Sequence, residues 1–311
     1  MALVKPNYEL ADVVRCFGKK LVENHSLNST KLKALQDISQ CRTAILGGHE
    51  EQCDCCHKKR YSYNSCGNRH CPKCLASKQA VWIDRLMQQS LVVKHFHVVF
   101  TVPHLLNKIC LFNQRMYYNT LFKAVWQTLR SFGYTHYGVE TGAVAVLHTW
   151  GQNLSLHPHI HCIVPAAGYS LKGKWKTIGD SGRYLYPKHQ LSAAFRGKFL
   201  YLIKKQLTKS GDYSVFSDLI DKADKKKWVV NIQAAFVKPE HVIKYLGQYT
   251  HRVAITNRRI VNVSRTKVTF IAKDYRDNAK KKPVTLEGEE FLRRFCMHDL
   301  SRLSGFYQND L

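Results

Sequence analysis

Apolar residues recur every three or four positions near the start of the chain, at Leu10, Val13, Val14, Phe17 and Leu21, and then at Leu32, Leu35 and Ile38. That period lines one face of a helix, so residues 6–38 are predicted to be helical. The rhythm breaks in a cysteine-rich, irregular run over 41–74 and returns as a helical pattern from Ala76 to Gln89. Alternation takes over in KHFHVVFTVP, residues 94–103, which ends at a proline and reads as a strand. An amphipathic helix over 114–130, a buried strand in GAVAVLHT (142–149) and a strand in SLHPHIHCIVPAAG (155–168) follow. Beyond a basic loop come a helix near 190–207, a strand in KKWVVNIQAAF (226–236), and a helix opened by Pro239 that holds EHVIKYLGQYTHR. The tail begins with a strand, KVTFIAK, passes through the charged DYRDNAKKKP and ends in a helical FLRRF. This succession predicts three parts: a small helical and cysteine-rich domain over 1–89, an α/β or α+β sheet domain over 90–265 and a basic segment over 266–311.

Charge adds a partner to this picture. Across 311 residues, 48 Lys and Arg stand against 22 Asp and Glu, a formal net charge of +26, which points to a polyanion and first of all to nucleic acid. No segment reaches the ~18 consecutive apolar residues of a membrane-spanning helix. The first residues, MALVKPNYELADVVRCFGKK, lack the apolar core and cleavage site of a signal peptide. A cytoplasmic protein with no membrane partner is expected.

Seven of the eleven cysteines fall between Cys41 and Cys74, arranged in CxxC pairs rather than scattered as a disulfide framework would be. Cys53-x-x-Cys56 and Cys71-x-x-Cys74 form two knuckles, each able to bring two thiolates to one tetrahedral zinc ion. Cys41, His49, Cys66 and His70 could complete a second zinc site, and Cys55 could replace Cys56. Basic residues around the knuckles, Arg69 and Lys73 among them, would present positive charge to DNA phosphates.

SLHPHIHC places His157, His159 and His161 at every second position, on one side of an extended strand. Neutral imidazoles converging in this way favour a metal site over a packed core. In KYLGQYTHR, Tyr245 and Tyr249 lie four apart, on one helix face, among Lys244, Gln248, His251 and Arg252. A phenol oxygen in that polar setting can attack phosphorus and keep the phosphodiester energy in a covalent intermediate. A histidine-bound metal would polarise the same phosphate.

CRTAILGGH, SCGNRHCPKC, HVVFTVPHLLN, HTWGQNLSLHPHIHCIVPAAG and YLGQYTHRVAITNRRI, in this order over residues 36–260, resemble the rolling-circle transposases of the insertion sequence 91 family. These belong to the HUH superfamily of single-strand endonucleases. The resemblance implies an α+β fold, an HUH endonuclease-like antiparallel sheet flanked by helices, preceded by a small helical and zinc-binding domain. It implies Tyr245 and Tyr249 as nucleophiles and a catalytic Mg²⁺ or Mn²⁺ on His159 and His161, with His157 or Gln248 as a third ligand. Its partners would be single-stranded DNA at element ends and target DNA, joined through a 5′-phosphotyrosine, with Arg252, Arg258 and Arg259 as phosphate contacts. A replication initiator of the same chemistry, and a non-catalytic zinc protein descended from a transposase, are the alternative readings. Family members continue past FLRRF through a Pro-Gly-Phe segment, whereas FLRRFCMHDLSRLSGFYQNDL departs from that pattern and predicts a shortened C-terminus.

Overall fold

The computed structural model describes residues 6–74, 81, 83–84, 88, 93–178, 185–236, 254–274 and 277–298. The expected helices over 76–89 and from Pro239, and everything beyond residue 298, lie at least in part outside the described residues. The chain divides into two compact units, one formed by 1–82, 150–156 and 250–301, the other by 83–149, 157–249 and 302–311.

In the first unit, the N-terminal periodicity yields two helices, α1 (Leu10–Asn24) and α2 (Ser29–Gln40). The predicted stretch splits because the Asn28 side chain accepts a hydrogen bond from the Lys31 amide at 2.9 Å and caps α2, giving it its own start. A hairpin follows, β1 (Gly48–Gln52) and β2 (Lys59–Tyr63), where an irregular run was expected. The same unit contains a three-stranded antiparallel sheet in the order β10 (Ile260–Val263), β11 (Lys267–Asp274), β12 (Lys280–Glu287), and a last helix, α7 (Gly288–Met297). Its core joins Val268 and Phe270 of β11, Phe291 and Phe295 of α7, and Leu10, Val13 and Phe17 of α1. Gly288 sits where a Cβ would collide with the Phe17 ring, which is why α7 can start so close to α1. The charged KKKPV stretch is thus a strand rather than an irregular tail, turned back on β11 by Asn278 and Ala279 at φ 47° and 59°.

The second unit is built on a four-stranded sheet in the order β5 (Val144–Trp150), β6 (Leu156–Pro165), β3 (His95–Thr101), β9 (Val229–Phe236), with β3 antiparallel to both neighbours. Alternation in the sequence gives this sheet two unlike faces. One is apolar, with Phe96, Val98, Phe100, Ile160, Cys162, Val164 and Val230 all buried. It is covered by helices: the Phe100 ring meets Phe195 of α5 (Lys188–Ser210) at 5.0 Å, and Phe199 of α5 meets Tyr117 of α4 (Gln114–Tyr137) at 5.3 Å. Glycines in the left-handed region, Gly138 (φ 66°) and Gly211 (φ 82°), end these two helices. Two shorter helices, α3 (Asn107–Phe112) and α6 (Tyr213–Asp224), and a small sheet in the order β4 (Val139–Glu140), β7 (Ala167–Ser170), β8 (Trp175–Thr177) complete the unit. The other face of the large sheet carries the histidines. Antiparallel pairing with helices packed against it makes the chain α+β. Among the described residues no helix is long and apolar enough to cross a membrane.

Candidate metal centres

In the first unit, Cys41, Cys66, Cys71 and Cys74 bring their sulfurs within 4.8 Å of one another. Cys41 Sγ lies 3.5 Å and Cys66 Sγ 3.6 Å from Cys74 Sγ, close to the ~3.8 Å edge of a tetrahedron with zinc–sulfur bonds of about 2.3 Å. Four soft donors at that spacing fit zinc. Burial pushes the Cys66 thiol up to about 12 and raises Cys71, whereas at Cys74 burial is outweighed by the combined hydrogen bonds of Cys41, Cys66, the Gly67 backbone and Cys71, which lower it. A bound cation would supply the positive charge that lets all four ionise.

The structure does not bring Cys53 and Cys56 to Cys71 and Cys74, as the two-knuckle spacing implied. The hairpin explains the difference. Its register runs from Gly48↔Tyr63 at the base to Gln52↔Lys59, so Cys53, Cys55 and Cys56 are carried out to an exposed turn. At the base, the Arg42 amide donates to Asn64 O at 3.1 Å, drawing together the segments that hold Cys41 and Cys66. Backbone amides of Cys56 and Cys55 hold the exposed Cys53 thiol below its ordinary value. His49 lies exposed on β1 opposite Ser62, and neither it nor His70 belongs to the four-sulfur group.

In the second unit, His148 on β5 joins His159 and His161 on β6, with one nitrogen of each within 4.8 Å of the others. Ring centroids are 4.4 Å apart for His148 and His161, 5.3 Å for His148 and His159, and 4.9 Å for His159 and His161. His159 Nδ1 lies 2.6 Å from the His157 carbonyl, so this nitrogen donates and Nε2 keeps the lone pair. Burial holds His159 down to about 4, and hence neutral at physiological pH, as a ligand must be. Three imidazole nitrogens converging in this way fit a divalent metal.

His157 does not join them. It stands outside the group of three whose nitrogens lie within 4.8 Å of one another. Its ring lies between those of His104 and His159, 4.9 Å from each, and burial, followed by the charges of His159 and His104, lowers it to about 4. Sequence reasoning missed His148, a lone histidine in a β-branched run that reads as core. The available signal was its place on a strand one short loop before the histidine strand, which makes the two neighbours.

Tyr245, Tyr249, Gln248 and Arg252 lie outside the described residues. Of the expected DNA contacts, Arg69 and Arg258 are exposed, and Lys73 pairs with Glu9 at 2.5 Å. Arg259 is taken up by the fold: its Nε donates to Ile271 O at 2.7 Å, its other nitrogens donate to Ala254 O and Gln152 O, and its guanidinium stacks over Phe270. Three backbone carbonyls account for its fork, which makes it a structural residue of the first unit.

Comparison with known proteins extends these observations. Residues 142–303 match the family described as "Putative transposase", and residues 13–102 match "Transposase zinc-binding domain". The chain is 40% identical over 316 residues to "Putative transposase y4qJ" of Sinorhizobium fredii, covering 96% of this chain and 78% of that protein. It is 26% identical over 312 residues to "Transposase for insertion sequence element IS801" of Pseudomonas savastanoi pv. phaseolicola, covering 94% of this chain and 72% of that one. No solved structure matches. A zinc-binding segment followed by a histidine-bearing sheet domain is thus the architecture of a DNA-rearranging enzyme. The chain belongs to the transposases of the insertion sequence 91 family.

Proposed function

We propose that this transposase nicks and rejoins single-stranded DNA at insertion-sequence ends by a rolling-circle route, using Tyr245 and Tyr249 as nucleophiles. The observation that carries the proposal is the convergence of three imidazoles, His148, His159 and His161, on one face of the sheet. Mg²⁺ or Mn²⁺ held there would polarise the scissile phosphate and stabilise charge on the leaving oxygen. The phenol of one tyrosine attacks phosphorus in line: it gives up its proton as its O–P bond forms, the P–O3′ bond breaks, and the departing 3′ oxygen takes up a proton. The 5′-phosphotyrosine so formed conserves the phosphodiester energy for rejoining, when a 3′-hydroxyl on another strand displaces the phenol. A second tyrosine on the same helix face allows the two to alternate.

In this reading residues 1–89 recognise DNA through the zinc-organised segment, 90–265 carry the chemistry and 266–311 add positive charge. Arg69, Lys73, Arg252 and Arg258 would touch phosphates, and the protein would act in the bacterial cytoplasm, where element DNA lies. Incubation with single-stranded element ends and Mg²⁺, followed by a denaturing gel, tests the proposal. A protein–DNA adduct is expected from the wild type and from at least one of Tyr245→Phe and Tyr249→Phe, but none from the double variant. An adduct that survives in the double variant, or maps to another tyrosine, would overturn it.

A further inference from the structure

On the metal-bearing face of the four-stranded sheet, polar side chains form a row running across all four strands: His148 on β5, His161 on β6, His97 on β3 and Gln233 on β9. His97 pairs directly with Ile163 and therefore shares the face of His161, one diagonal step away. On its other side it pairs with Gln233. The β3–β9 register slips just beyond this pair, with His95 meeting Phe236. His97 is 1% exposed, and its ring lies nearly parallel to that of His161, edge to edge, with centroids 5.1 Å apart and an interplanar angle of 7°.

The hydrogen bonds along this row have one consistent direction. Gln233 Oε1 lies 3.0 Å from His97 Nδ1, and an amide oxygen only accepts, so His97 carries its proton on Nδ1. His97 Nε2 is then an acceptor. It lies 2.8 Å from His161 Nδ1, which must donate, and the lone pair of His161 is left on Nε2. A neutral imidazole in water prefers the opposite tautomer, with the proton on Nε2. His159 obtains the same arrangement from a backbone carbonyl, at 2.6 Å. His161 obtains it from the side chains of His97 and Gln233.

We propose that His97, oriented by Gln233, is a positioning residue that fixes His161 as its Nδ1–H tautomer and so presents His161 Nε2 to the metal. The proposal rests on the reading of His148, His159 and His161 as a divalent-metal site. Outer partners of this kind typically change metal affinity by about 10–100-fold.

Two readouts on the full-length, zinc-loaded chain test it: Mn²⁺ affinity by calorimetry, and the ¹⁵N spectrum of ¹⁵N-histidine-labelled protein free of Mn²⁺, with His161 assigned by its loss in His161→Ala. Wild-type His161 should show the Nδ1–H pattern. His97→Phe and Gln233→Leu should lose that pattern and bind Mn²⁺ about 10–100-fold more weakly. Gln233→Glu, whose carboxylate accepts the same proton, should keep the affinity. Melting curves identify any variant that fails to fold, and Gln233→Leu, at a half-buried position, decides if His97→Phe does. A site that needs His159 but whose affinity and tautomer ignore His97 and Gln233 overturns this proposal alone. Unchanged Mn²⁺ binding in His159→Ala overturns the metal reading and this proposal with it.

Discussion

A cysteine's ligand role is decided by where the backbone carries it, and Cys53 and Cys66 show this within one short segment. The CxxC signature made Cys53 the stronger zinc candidate, yet the hairpin turns it out to an exposed tip while Cys66 returns beside Cys41. Metal binding and folding are coupled at a structural zinc site, where the apparent binding energy is on the order of 10 kcal/mol. Cys66→Ser should therefore lose the tetrathiolate zinc and expose the segment to proteolysis, whereas Cys53→Ser should retain that ion; elemental analysis after dialysis distinguishes them. The same reasoning applies to the imidazoles. His148→Ala should abolish Mn²⁺ binding and DNA cleavage together, while His157→Ala should preserve Mn²⁺ binding, because His157 stands outside the group whose nitrogens converge. Equal loss in both would mean that the ligand set is built around the wrong three rings. His159 and His161 were legible because period two is local, whereas His148 and Cys66 depend on pairings between strands that spacing does not encode.

Among the elements, those with strong periodicity were readable: α1, α4, α5, β3, β6 and β9 form where the apolar pattern placed them. What escaped was decided by neighbours. The lysine-rich β12 becomes a strand because β11 supplies a partner and α7 follows it onto α1, and no single-strand pattern reports this. In the first turns of α7, Glu290 accepts from Arg293 at 2.5 Å and from Arg294 at 2.7 Å. Arg293 first, with Arg294 helping and burial opposing, holds the carboxyl down to about 2. Since this folded-state value lies below the ~4.3 of an unfolded Glu, the pair's stabilisation is fully present above about pH 4.5 and is lost as pH falls toward 2. Partial exposure screens the pair, so about 1 kcal/mol is expected. Glu290→Gln should thus melt lower than the wild type at pH 7, and the gap should narrow below about pH 4.5 and close as pH falls to about 2. A gap independent of pH would assign the effect to packing of α7 instead.

For the molecule as a whole, charge is the property that no rearrangement of contacts can remove. With 48 basic and 22 acidic side chains, even complete pairing of every carboxylate leaves a surplus of +26. Ion pairs such as Lys73 with Glu9 and Lys282 with Asp274 and Asp277 consume some of the positive charge, and Arg259 is spent on backbone carbonyls. The remainder repels itself unless a polyanion is near. If phosphates are that polyanion, binding releases their condensed counterions, and log K against log[salt] slopes at about −0.7 for each phosphate neutralised on a single strand. Contact with about five phosphates would give a slope near −3.5 and an affinity loss of about 100-fold between 50 and 200 mM salt. Titration of a labelled single strand across that range measures it directly. Phosphate contacts and metal chemistry are separate contributions, so His159→Ala should keep the slope while losing cleavage. Replacing Arg69 and Arg258, both exposed, should each flatten the slope by about 0.7 if they contact phosphates. A slope near zero in the wild type would mean that the surplus charge faces away from DNA, and that recognition comes from contacts to bases instead.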